Sequence, residues 1–117
     1  MDFLRRLQEK ESADYEVNTG EKLIGYFSLS HHLECENVIV LHNLCVAPEV
    51  RGKGFGNLLL DAAKEESRKL GGKILFLDFI DMHTELKNWY LSKGFVYKGK
   101  DRYPNLPFEV GKAEFCL

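Results

Sequence analysis

Twelve residues, Val46-Ala-Pro-Glu-Val-Arg51-Gly52-Lys53-Gly54-Phe55-Gly56-Asn57, narrow the folds open to this chain more than any other stretch. They separate a β-branched apolar run from a long amphipathic pattern, so a strand must pass into a helix through a turn of alternating glycines. From Phe55 onward Phe55, Leu58, Leu59, Ala62, Ala63 and Leu70 share one helical face, and Gly71-Gly72 supplies the stop. A helix that opens straight out of a glycine turn aims free N–H groups and the positive end of its dipole at whatever sits before it. Arg51 and Lys53 add full positive charge, and glycine lets the backbone approach a ligand closely. The expected guest is an anion, and the stretch reads as a diphosphate cradle.

Spacing decides among glycine motifs. A Walker A loop needs four residues between its first glycine and a Gly-Lys-Ser/Thr ending, whereas Gly56 is followed by Asn57 and Leu58. The dinucleotide fingerprint needs G-x-G-x-x-G, but Gly52, Gly54 and Gly56 are spaced G-x-G-x-G; only Asp78, in the next strand, speaks for it. The pattern that fits is Arg/Gln-x-x-Gly-x-Gly/Ala, filled by Arg51, Gly54 and Gly56 and preceded by Leu44-x-Val46-x-Pro48. This resembles the acetyl-CoA loop of the GNAT superfamily of N-acetyltransferases.

The rest of the chain is consistent with one such domain over residues 1–117. A length of 117 residues with 44% hydrophobic and 29% charged side chains suits one compact α/β unit and leaves no room for a second. The formal net charge of −2 argues against a nucleic-acid partner, which calls for a basic excess. Cys35, Cys45 and Cys116 are odd in number and unpaired in spacing, so free thiols in the cytoplasm are expected. With no signal peptide or apolar membrane-spanning run in the sequence, no membrane partner is expected.

In chain order, residues 2–11 read as a short helix with Phe3, Leu4 and Leu7 on one side. Residues 14–18 and 22–30 read as a hairpin turning at Thr19-Gly-Glu21, and residues 37–46 as a central strand. After the glycine helix, residues 73–80 are nearly continuously apolar, as in a strand buried on both faces and parallel to the one before the helix. Thr84 is placed to N-cap a helix with Leu86, Trp89 and Tyr90 on its inner face, ended by Gly94. Residues 95–100 and 112–117 read as a last antiparallel pair, with Pro104 and Pro107 in the loop 101–111 between them.

This order extends the resemblance from about residue 14 to the end, and Tyr90-Leu-Ser-Lys-Gly94-Phe95 fills the family's Tyr-x-x-x-Gly-Phe motif. The resemblance implies a GNAT-like fold, a central mixed, largely antiparallel sheet flanked by helices, with the first strand and part of a helix pair missing from the wall of the acceptor site. It implies acetyl-CoA as co-substrate and no metal. Its contacts would be Leu44, Cys45 and Val46 at the strand end, Arg51, Gly52, Lys53, Gly54, Phe55, Gly56 and Asn57 in the loop, and His83, which stands where many members carry asparagine. Val40 stands where other members carry a glutamate base.

Acetyl transfer to an amine needs a base for the amine, N–H donors for the oxyanion and an acid for the departing thiolate. The resemblance gives the acid role to Tyr90, a role compatible with packing its helix on the sheet. Strand alternation puts Val40, His42, Leu44 and Val46 on one side, toward the cofactor, and makes His42 the candidate base, with a histidine merely bonded to a neighbour as the alternative. Cys45 then falls on the opposite face, where core packing is its expected role. His31, His32 and Cys35 are a weak metal candidate. The expected activity is direct transfer from acetyl-CoA to a primary amine, on a small molecule or on a protein lysine or N-terminus. A non-catalytic acyl-CoA-binding or scaffold module is the alternative. A missing first strand would also leave an open sheet edge suited to homodimerisation.

Overall fold

The computed structural model describes residues 2–6 and 12–117. Among them seven strands form one sheet: β1 (Asp2–Arg6), β2 (Ser12–Thr19), β3 (Lys22–His31), β4 (Val38–Val46), β5 (Ile74–Ile80), β6 (Val96–Arg102) and β7 (Glu109–Cys116). Two α-helices, α1 (Phe55–Lys69) and α2 (Thr84–Ser92), are placed before and after β5 in the chain. Across the sheet the order is β1-β2-β3-β4-β5-β7-β6. Only β4 and β5 run parallel, joined by α1 as the glycine-turn reading expects. The sheet is therefore mixed and largely antiparallel.

Residues 2–6 correct the expectation at the start of the chain. They are not helical but form β1, paired with β2 from Asp2↔Thr19 to Arg6↔Tyr15. A helix of that length is marginal by itself, whereas a sheet edge supplies backbone partners at once. The remainder of the expected helix, residues 7–11, lies outside the described residues. A strand thus precedes the β2–β3 hairpin where none was expected, and β2 is not an edge.

The core lies between one face of the sheet and the two helices. Phe27, Leu29, Ile39, Leu75 and Leu77 from the strands meet Leu59, Leu60 and Ala63 of α1 and Tyr90 of α2 in one buried cluster. The helices lie side by side: Lys64 Nζ donates to the Lys93 carbonyl at 3.3 Å, and a Cβ on Gly56 would come within 3.2 Å of the Trp89 ring. α1 ends as its glycine pair suggests, with Gly72 N–H on the Ser67 carbonyl and Gly71 N–H on that of Arg68, the bonding of a Schellman stop.

Three further local readings change. The cap of α2 is His83, not Thr84: His83 Nδ1 accepts the Leu86 N–H at 3.2 Å, while the Thr84 hydroxyl turns back to the Met82 carbonyl. The last two strands are longer than expected, which shrinks the loop to 103–108 around its two prolines, the residues that cannot donate to a ladder. The alternation along β4 breaks at Asn43, the sole non-glycine among the described residues with positive φ, at 55°. His42 pairs with Ser28 and Cys45 with Tyr26, so two residues of β4 oppose one of β3. Val40 and His42 stay on the outer face, Leu44 and Val46 pack toward the core, and Cys45 comes out on the side of His42.

Candidate active site

The parallel contact of β4 with β5 is short. It runs from Val38↔Ile74 to Val40↔Phe76 and stops, although β4 continues to Val46 and β5 to Ile80. Each strand stays paired on its other side, β4 with β3 and β5 with β7. A wedge therefore opens between residues 41–46 and 77–80, with backbone edges facing each other and no strand between them. Such an edge is a ready-made partner for an extended ligand carrying amides.

The backbone at the mouth of the wedge can be oriented. Ala47 N–H bonds the Ile24 carbonyl on β3 at 2.8 Å, so the N–H and C=O of Val46, one residue earlier, point away from β3 into the wedge. The Val46 carbonyl takes the Arg51 Nε–H at 3.2 Å. That leaves the Val46 N–H as a donor inside the opening.

Beyond Val46 a single 3₁₀ turn, Pro48–Val50, anchors the chain by burying Val50. The loop then turns on Gly52 and Gly54, with φ of 81° and 82°, values that L side chains rarely adopt. Gly54 is the N-cap of α1 and offers no side chain to its first turn. The N–H groups of Gly54, Phe55 and Gly56 find no acceptor among the described residues. A Cβ built on Gly52 or Gly54 meets nothing within 4 Å, so the space before the helix is open. Arg51 and Lys53 are exposed and neither forms a salt bridge among the described residues. Free donors, open space and unpaired cations fit a phosphate-bearing ligand. Gly56 differs from its two neighbours: the Trp89 ring, not backbone conformation, restricts it.

Tyr90 flanks the wedge on the helix side. Its ring is 7% exposed and packs 6.4 Å from Phe79, 5.0 Å from Trp89 and 5.6 Å from Phe95. Burial pushes the phenol up to about 12. The hydroxyl has no hydrogen bond, yet no buried side-chain oxygen among the described residues lacks a partner, so this oxygen retains some solvent access. His42 occupies the outer face, exposed, with Nε2 3.0 Å from Ser30 Oγ. Tyr90 and His42 thus lie on opposite sides of the sheet. Leu44 and Val46 are half-buried at the strand end, with Cys45 outward between them. His83 sits at the start of α2 with Nδ1 committed to its cap.

Sequence reasoning missed the wedge, the Ser30 partner and the bond from Ser28 Oγ to Asp14 Oδ1 at 2.6 Å. It also missed Asp81, which receives the Tyr97 hydroxyl at 2.5 Å and the Lys87 ammonium at 3.2 Å. Asn43 was the one signal available for the shifted phase, since asparagine tolerates the left-handed conformation in an otherwise β-branched run. His31, His32 and Cys35 do not assemble: among the described residues no three His, Cys, Asp or Glu side chains could hold a metal. No described helix is long and apolar enough to cross a membrane.

A model of the Acetyltransferase (GNAT) family matches residues 2–95. An amino-acid acetyltransferase of Ralstonia nicotianae is 31% identical over 100 residues, which are 86% of this chain but only 21% of that protein's length. Among solved structures, a GNAT family acetyltransferase from Elizabethkingia anophelis with acetyl-CoA bound superposes with a TM-score of 0.82 at 17% identity, covering 92% of this chain and 77% of that one. The ribosomal-protein-S18-alanine N-acetyltransferase from Escherichia coli gives 0.76 at 18% identity, covering 93% and 71%.

Proposed function

Because this chain belongs to the GNAT acetyltransferase family, we propose that it transfers an acetyl group from acetyl-CoA directly to a primary amine. The observation that carries this reading is the wedge between β4 and β5, continuous at its mouth with a loop of free N–H groups and unpaired cations. The loop would hold the diphosphate, and the strand edges of the wedge would pair with the amides of the pantetheine arm. Acetyl-CoA supplies the activated thioester; the remaining work falls to the chain's own groups.

The Val46 N–H is aimed where negative charge develops on the acyl oxygen. Tyr90 keeps its proton at any ordinary pH, because its phenol is held near 12. It therefore acts as a hydrogen-bond donor to the departing sulfur. His42 relays the amine's proton from the outer face through water, with its ring oriented by Ser30. His83, with Nδ1 occupied, has only Nε2 to offer the cofactor arm.

The acceptor is a small amine, or a lysine or N-terminus of a protein, encountered in the cytoplasm. Incubation with acetyl-CoA and a panel of amines and peptides, followed by mass spectrometry, tests the reading. A mass increase of one acetyl group that forms more slowly in Tyr90→Phe is the expected result, and CoA release without any acetylated acceptor contradicts it. A second reading, a non-catalytic acyl-CoA-binding module, is favoured by the exposure of Tyr26 and His42 on a face that no described helix covers. It predicts acetyl-CoA binding with no transfer to any amine.

A further inference from the structure

A hollow of about 520 Å³ opens on the outer face with His42 and Ser30 in its lining. It extends from the bulged part of β4 toward the β3–β4 connection, away from the wedge. Its size falls within the ordinary range of small-molecule sites. We propose that this hollow holds the acceptor, and that the acceptor is a small primary amine on an aromatic or branched apolar body, without a carboxylate beside the amine. The inference rests on the acetyl-transfer reading above and adds the place and chemical class of the second substrate.

Three features of the lining carry it. Its walls are largely carbon: Val40 from β4 and Leu33, a leucine fully exposed in the free protein, which an apolar ligand body would cover. Two more imidazoles, His31 and His32, are held in place by their backbone neighbours. His31 Nδ1 donates to the Glu36 carbonyl at 2.9 Å, and His32 Nδ1 accepts the Glu34 N–H at 3.1 Å. An imidazole is a planar ring on which an aromatic body can stack. The one carboxylate in the lining is Glu34, which attracts a protonated amine and repels an acceptor carrying its own carboxylate. The amine enters past Glu34 and meets His42 where the hollow reaches the bulged part of β4.

The test is an amide-resolved NMR titration of ¹⁵N-labelled protein with 2-phenylethylamine, with phenylalanine as the carboxylate-bearing comparison and excess CoA present. Saturable shifts at residues 30–34, 40 and 42, at least about tenfold weaker binding of phenylalanine, and loss of the shifts in Leu33→Asp are expected. Leu33 is fully exposed, so that variant retains its fold, and Val40→Trp, which fills the hollow, provides a second test. Glu34→Gln should narrow the preference between the two probes. Shifts elsewhere, no shifts, or equal affinity for both probes overturn the proposal. Shifts at residues 51–57 on adding CoA report the cofactor site separately. Their absence beside clear amine shifts removes the transfer reading and leaves the amine site standing; the converse removes only the amine site.

Discussion

His42 and Cys45 look out from the same face of β4, because Asn43 between them takes a left-handed φ of 55° and absorbs one residue of the strand's alternation. Without that bulge Cys45 would point into the core and His42 would share a side with Leu44 and Val46. Asn43→Gly should therefore be close to neutral, whereas Asn43→Val should cost on the order of 1–2 kcal/mol through strain in a β-branched residue. Urea denaturation of the two variants measures the difference; equal stabilities would show that the bulge does not depend on this residue.

Two glycines of the loop should fail for different reasons. Gly54→Ala strains the backbone by about 1 kcal/mol but meets open space, so its effect is local to the loop. Gly56→Ala presses a methyl group toward Trp89, the protein's only tryptophan, at 3.2 Å. Tryptophan emission should shift in Gly56→Ala and stay fixed in Gly54→Ala.

Removal of the Tyr90 hydroxyl should lower kcat by about 10- to 100-fold while leaving acetyl-CoA affinity nearly unchanged. Because burial holds the phenol near 12 in the folded protein, against 10.0 for an ordinary tyrosine, it should not produce an alkaline limb in kcat below about pH 11. The stability effect has the matching sign. It is fully present below pH 10 and is lost as pH rises toward 12, since the unfolded chain ionises first. Alkaline denaturation of Tyr90→Phe should accordingly be shallower than that of the parent; identical profiles would contradict the burial.

Asp81 ties β5 to α2 and β6. The Tyr97 hydroxyl, with help from Lys87 and Lys100, holds its carboxyl below the usual aspartate range. Its contribution is present above the ordinary carboxylate value and is lost as pH falls through the lowered one. In Tyr97→Phe, acid unfolding should begin at a higher pH; an unchanged midpoint would show that the pair contributes nothing.

The parts of this fold legible from sequence were those written in local patterns. The glycine turn, the apolar face of α1, the strand β5 and the Tyr90-to-Phe95 motif all lie within single segments, and the structure has them as elements in the expected order. The burial of β5 on both faces is corrected: Leu75, Leu77 and Phe79 are buried on one face, while Asp78 and Ile80 on the other are exposed, because no described helix covers that side. What depended on a distant partner was not legible. Residues 2–6 acquire their conformation by pairing with β2, and the wedge exists because β3 and β7 draw β4 and β5 apart. The phase of β4 turned on one asparagine, and the position assigned to Cys45 turned with it. The capping of α2 by His83 escaped notice because a ring nitrogen can do the work of the hydroxyl one residue later.

The central claim is that the glycine turn and the wedge beside it form an acetyl-CoA site. Calorimetric titration of the folded chain with acetyl-CoA, alongside CoA and NAD, tests this most directly, with a Gly54→Asp, Gly56→Asp variant as control. Saturable binding of acetyl-CoA and CoA but not NAD, abolished in the variant, is the predicted result. No heat of binding from acetyl-CoA in a sample whose circular dichroism shows the folded sheet would contradict it.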